Sequence, residues 1–182
     1  MLGFILLLFE IYKLMSTTYI YFYGHCPIRH GVYSCLSNWY TTRFICDETG
    51  KTFDNVEQYM MWRKAILFND INTANEIMKT DLPAMSKLLG RSVSNFNQNI
   101  WDKNCVDIVM RGCFLKFSQN EYIKDILLNT NDAILAEASP YDTIWGIGLT
   151  IKTANACKNE SEWRGQNLLG KCLMNVREKL KN

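Results

Sequence analysis

Hydrophobic and polar positions divide the chain into short alternating segments and longer segments of helical period. Tyr19 to Tyr23, rich in aromatic and β-branched residues, predicts a strand, and a loop through Gly24, Pro27 and Gly31 follows. Thr41 to Ile45 predicts a second strand, which the turn Asp47-Glu48-Thr49-Gly50-Lys51 joins to Thr52-Phe53 as a hairpin. A helix-like run from Asp54 to Ala65 begins directly after it. Further helices are predicted over Asp70 to Met78, stopping before Leu82-Pro83, and over Ala84 to Leu89, ending at Gly90. Asp102 to Ser118 carries Val106, Val109, Met110, Phe114 and Phe117 at helical spacing, the mark of a core-facing helix. Tyr122 to Leu128 adds a short helix, and Ala133 to Ala138 a short strand that Pro140 stops. The closing helix, Gln166 to Lys179, turns Leu169, Cys172, Leu173 and Val176 inward. These elements predict a single α+β domain, dominated by helices, with a small β-sheet.

The run from Asp54 to Ala65 carries the first candidate chemistry. At about 100° per residue, Glu57, Met60, Met61, Lys64 and Phe68 share one sector, with Val56 and Leu67 at its margin. Two charges thus lie in an apolar stripe. A lysine lodged among Met and Phe is partly desolvated and more easily neutral, and a neutral amine is a nucleophile or a base. Helix geometry leaves a second reading open for each residue. Asp54 and Glu57 have the spacing of a capping box, a purely structural use, and Lys64 has a stem long enough to reach water past the stripe.

A second candidate lies in the loop after the last strand, Ser139 to Gly148. Here Asp142 offers a carboxylate, Trp145 a stacking face and Gly146 a close backbone approach, which together make a ligand cradle. A Trp-Gly pair is also common at a packed corner. Asn167 either caps the closing helix or holds the loop before it.

Composition narrows the field. With 182 residues, 48% of them hydrophobic, the chain has enough material for one core and no sign of a second domain. A net charge of +2 gives no broad electrostatic footprint for nucleic acid, so such a substrate would be held by local contacts. Seven cysteines without a CxxC pair fit neither a disulfide framework nor a zinc ribbon, and read as reduced thiols of a cytoplasmic protein. His25, Cys26, His30 and Cys35 match no zinc-finger spacing and read as ordinary loop and core residues, so no metal is expected. Leu2 to Phe9 is aliphatic, but Glu10 interrupts it well short of the ~20 residues that span a bilayer, and no stable membrane partner is expected.

Several separated motifs occur in one order: Ser37-Asn38, Val56-Glu57-Gln58-Tyr59 with Lys64, Leu89-Gly90-Arg91, Trp101, Lys116-Phe117, Glu137-Ala138-Ser139-Pro140-Tyr141-Asp142, Trp145-Gly146-Ile147-Gly148 and Asn167-Leu168-Leu169-Gly170. The ordered set resembles the NADAR, or YbiA-like, proteins. The likeness covers residues 21–182 and leaves 1–20 as an N-terminal extension.

The resemblance implies a YbiA-like fold and N-glycosidase chemistry without a cofactor. The implied substrates are ribosylaminopyrimidine 5-phosphates, intermediates of riboflavin biosynthesis, cleaved between ribose C1 and the amine nitrogen. The alternative is ADP-ribose carried on guanine, and a further alternative is a module that binds such nucleotides without turning them over. By the same resemblance Lys64 forms a Schiff base with C1, while Glu57 and Asp142 are the acids of the site. A departing nitrogen needs a proton and a cationic sugar carbon needs negative charge nearby, which is why both types are wanted. Trp101 and Trp145 are implied to wall in the base, with Ser37, Asn38 and Arg91 on ribose hydroxyls or phosphate. Gln58 stands where the family often has histidine, which removes a titrating group from that position.

Overall fold

The computed structural model describes residues 17–181. The aliphatic stretch Leu2 to Phe9 lies outside them. In chain order the elements are β1 (Tyr19–Phe22), α1 (Pro27–His30), a 3-10 turn (Val32–Leu36), β2 (Phe44–Ile45), β3 (Thr52–Phe53), α2 (Val56–Leu67), α3 (Ile71–Ile77) and α4 (Pro83–Arg91). There follow α5 (Gln98–Ser118), α6 (Glu121–Leu128), β4 (Ile134–Glu137), α7 (Ile151–Ala154), a second 3-10 turn (Glu160–Glu162) and α8 (Leu168–Lys181). The α+β expectation holds, with the strands split into two separate ladders. The hairpin β2–β3 pairs Phe44 with Phe53, and β1 lies parallel to β4, from Tyr19 opposite Ile134 to Phe22 opposite Glu137. β1 begins two residues inside the expected N-terminal extension, because Tyr19 and Ile20 pair with β4.

Helix α2 is the centre of the molecule. It packs against α3, α4 and α5, and every residue from Val56 to Trp62 is buried. Polar residues of α2 must therefore find partners inside the protein, because water does not reach them. Its start shows how. The cap is Asn55, whose Oδ1 accepts from Gln58 N at 2.9 Å, and Gln58 Oε1 reaches back to accept from Asp54 N at 2.8 Å. The capping-box role expected of Asp54 and Glu57 thus belongs to Asn55 and Gln58, one position along, and Glu57 is left free for other work. Gln58 Nε2 is spent as well, donating to the carbonyls of Ile77 and Thr80. The position where the family often has histidine is structural here, and it does not face the cavity described below.

Two helix ends differ from expectation for local reasons. α5 starts four residues early because Asn97 caps it, accepting from Ile100 N at 3.1 Å. α4 runs through Gly90 to Arg91, because Gly90 serves packing and not termination. At the other end of the chain, α8 presses on β4: a Cβ on Gly170 would collide with the Leu135 carbonyl. Asn167, in the left-handed region at φ 54, holds β4 itself, since Nδ2 donates to Leu135 O at 2.8 Å and Oδ1 accepts from Glu137 N at 3.2 Å. The side chain replaces a missing neighbour strand at that edge.

Candidate active site

The carboxyl ends of the parallel strands β1 and β4 open together on a cavity of about 740 Å³. Tyr23 and Gly24 follow one strand, and Glu137 and Ser139 close the other. α2 supplies Glu57, Met60, Met61 and Lys64, and α4 supplies Lys87, Gly90 and Arg91. Ser37, Asn38, Trp39, Trp101, Asp142 and Trp145 complete the walls. Eight of the nine residues singled out from sequence therefore share one cavity, although they come from five separate parts of the chain.

Lys64 is half-buried, and its Nζ donates to the Gly90 carbonyl at 2.8 Å. The same nitrogen lies 4.2 Å from the Phe96 ring centroid and 5.5 Å from that of Trp101. Ring faces and a helix-end carbonyl favour the ammonium form. Desolvation opposes them and prevails, holding the amine below the usual lysine range. Lys64 thus has no acid partner among the described residues, and its direction is set by α4. The contact depends on Gly90, since a Cβ there would overlap Met61 Sδ and come within 2.7 Å of its Cγ. Gly90→Ala is expected to lose about 1–3 kcal/mol of stability despite the better helix propensity of alanine, and to lower activity by displacing the carbonyl that anchors Lys64. Thermal unfolding and turnover of the same preparation check this.

Glu57 is 4% exposed, and its Oε1 has no hydrogen-bond partner. Burial pushes its carboxyl up to about 7, and Asp142 adds to the rise. Lys87, a hydrogen bond from Trp39 and Arg91 pull the other way. A buried acceptor without a partner is expensive unless a ligand completes it.

Asp142 Oδ1 accepts from the backbone N–H groups of Ile144, Trp145 and Gly146, at 2.9, 2.7 and 3.4 Å. The carboxylate therefore builds the loop it stands on, which aims Trp145 into the cavity. Gly146 does not line the cavity. A Cβ there would come within 2.9 Å of the Asp142 and Glu137 carbonyls, so the glycine serves close backbone packing behind the wall, not ligand approach.

Ser37 and Asn38 are held from beneath by Lys116, which is 1% exposed. Its Nζ donates to the carbonyls of Cys35 and Ser37 at 2.6 and 2.8 Å, and burial lowers its amine to about 8. The Asn38 carbonyl in turn accepts from Glu57 N at 3.1 Å, so this segment also fixes the first turn of α2. Lys116→Met, which removes the Lys116 bond from the Cys35 carbonyl and leaves the Ser37 carbonyl only the Tyr40 N–H at 3.2 Å, is expected to cost about 1–3 kcal/mol of stability. Denaturant titration with an unchanged m-value would show it.

Glu137, Lys87 and Trp39 line the cavity beyond the residues expected from sequence. Glu137 was visible as an acid ending an apolar strand, and Trp39 as the residue after Ser37-Asn38; Lys87 carried no signal apart from its helical spacing to Arg91. Among the described residues, no group of three or more His, Cys, Asp or Glu could hold a metal ion. His30 Nδ1 accepts from Cys26 N at 3.2 Å, which closes the α1 turn, and Cys35 is buried in the core. No helix among the described residues is long and apolar enough to cross a membrane.

Comparison with known proteins bears on this arrangement. The family model described as the NADAR domain matches residues 21–181. A protein named N-glycosidase from Acanthamoeba polyphaga mimivirus is 44% identical over 163 residues, covering 88% of this chain and 95% of that protein. A protein named riboflavin biosynthesis protein from Vibrio vulnificus is 28% identical over 161 residues, covering 88% of this chain and 38% of the other. The solution NMR structure of YbiA from E. coli superposes with a TM-score of 0.73 at 28% identity, covering 92% of this chain and 87% of that one.

Proposed function

The chain belongs to the NADAR family and is an N-glycosidase, and we propose that the bond it hydrolyses joins ribose C1 to the amine nitrogen of a ribosylaminopyrimidine 5-phosphate. The observation that carries this reading is the amine of Lys64, desolvated, pinned on Gly90 and facing the same cavity as Glu57, Glu137 and Asp142. A neutral amine in such a place attacks C1 of the ring-opened sugar. The pyrimidine amine then leaves with a proton, Lys64 holds C1 as an iminium, and water hydrolyses that link to release the sugar phosphate. Negative charge from Glu57 and Asp142 steadies the cationic carbon. Trp101 and Trp145 flank the base, and Ser37, Asn38 and Arg91 hold the ribose and its phosphate. The name borne by the Vibrio vulnificus relative supports a riboflavin intermediate.

A second substrate, ADP-ribose on guanine, is favoured by one feature. Tyr141, on the cavity rim, is 93% exposed, and with Trp39 it offers aromatic surface beyond what one pyrimidine needs. Incubation with a ribosylaminopyrimidine 5-phosphate and, separately, with an ADP-ribosylated guanine oligonucleotide distinguishes the two. Faster release of the oligonucleotide's ADP-ribose would overturn the metabolite reading.

A further inference from the structure

Three carboxyl groups, from Glu57, Glu137 and Asp142, line one cavity, and the neighbouring carboxylates disfavour ionisation of Glu57 and Glu137. Their surroundings divide the roles. Asp142 Oδ1 already accepts three backbone N–H bonds, so that oxygen has no proton to deliver. Glu57 has Lys87, Arg91 and the Trp39 hydrogen bond on its side, all of which favour a carboxylate. Glu137 has the poorest support for a charge. Facing it are Glu57 on α2, Asp142 in the loop, Cys113 on α5 and Lys87 on α4, which is the sole cation among these neighbours. Its carboxyl makes no ion pair or hydrogen bond with any described residue.

We propose that Glu137 is the proton donor of this site, the carboxylic acid that protonates the amine nitrogen as its bond to ribose C1 breaks. This rests on the ribosylamine reading above. Its backbone holds it rigidly: the N–H donates to Asn167 Oδ1 at 3.2 Å, and the carbonyl accepts from Ser139 N and Ile147 N, both at 2.9 Å. Burial and the two neighbouring acids push the carboxyl up to about 8, so it carries its proton at neutral pH. In the step itself, the C1–N bond breaks with its electron pair going to nitrogen, and the Glu137 proton moves to that nitrogen. The Lys64 nitrogen lone pair closes the iminium to C1. Glu137, now a carboxylate, takes a proton from the water that adds to C1 and returns to the acid form.

Glu137→Gln keeps shape and polarity but has no acidic proton. Its kcat is expected to fall on the order of 10²–10⁴-fold with KM within a few-fold, and the residual rate to lack the alkaline limb near pH 8 expected of the wild type. Glu137→Asp is expected to restore part of the rate. Infrared spectra at about pH 6, where Glu57 is protonated as well, should show in a Glu57→Gln background a protonated carboxyl band that the Glu57→Gln, Glu137→Gln double variant lacks. An active wild type beside a Glu137→Gln variant of equal kcat, or absence of that band, overturns the assignment. A wild type inert towards the ribosylamine overturns the substrate reading and the donor role with it.

Discussion

Lys64→Met is expected to abolish turnover, with kcat lower by on the order of 10⁴-fold or more, and to leave a folded protein. Methionine occupies the volume of the lysine stem beside Phe96 and Trp101, so the packing around α2 survives. What is lost is the amine, together with one bond to the Gly90 carbonyl at the end of α4. That carbonyl lies at a helix terminus beside the cavity, where water can replace the amine, so the stability change is expected to stay within about 1 kcal/mol. The covalent role has its own signature. Borohydride added during turnover should reduce an iminium on the wild type and add the mass of the sugar phosphate at Lys64, whereas the variant should gain none. A folded Lys64→Met protein that still turns over would remove Lys64 from the chemistry.

Glu57→Gln is expected to move activity and stability in opposite directions. In the folded protein the Glu57 carboxyl stands at about 7, against an ordinary value of 4.5. The native state therefore binds more protons than the unfolded chain between those two values. The stability this proton gives is fully present below about 4.5 and is lost as pH rises through about 7. The rise corresponds to on the order of 3 kcal/mol, an upper bound for a group 4% exposed. Glutamine carries no such term. The variant should accordingly be the more stable protein at pH above 7 and should gain little at pH below 4.5, as melting curves across that range would show. Its kcat should drop about 10²-fold or more, because the negative charge beside C1 is gone. Equal melting temperatures at high pH would mean that Glu57 is not strained by its burial. Glu57 Oε1, buried without a partner, is the atom whose burial these melting curves probe.

Much of this arrangement is legible in the order of residues alone. The spacing of seven between Glu57 and Lys64 places them on one helix face whatever surrounds the helix, and the cavity wall formed by α2 follows from that geometry. The hairpin and the closing helix are legible for the same reason, since turn chemistry and apolar period are properties of short segments. Gly146 and Glu57 show where such reasoning stops. A glycine serves either a ligand or a neighbouring backbone, and the choice depends on what lies opposite; here the Asp142 and Glu137 carbonyls lie opposite. An acid near a helix start caps it or faces a site, and the choice depended on Asn55 and Gln58 closing the cap between themselves.

The sequence by itself determined the longer helices, though not the one-turn helices α1 and α7, as well as the hairpin and the pairing of an acid with a lysine on one face, because these follow from bond geometry and side-chain period within a dozen residues. Only the tertiary structure decided which acids face one another, what Gly146 packs against and what holds Lys64 in place. Those outcomes depend on desolvation and on partners brought from distant segments. Glu137 meets Glu57 across 80 positions of chain, and no local pattern encodes the field that each then imposes on the other.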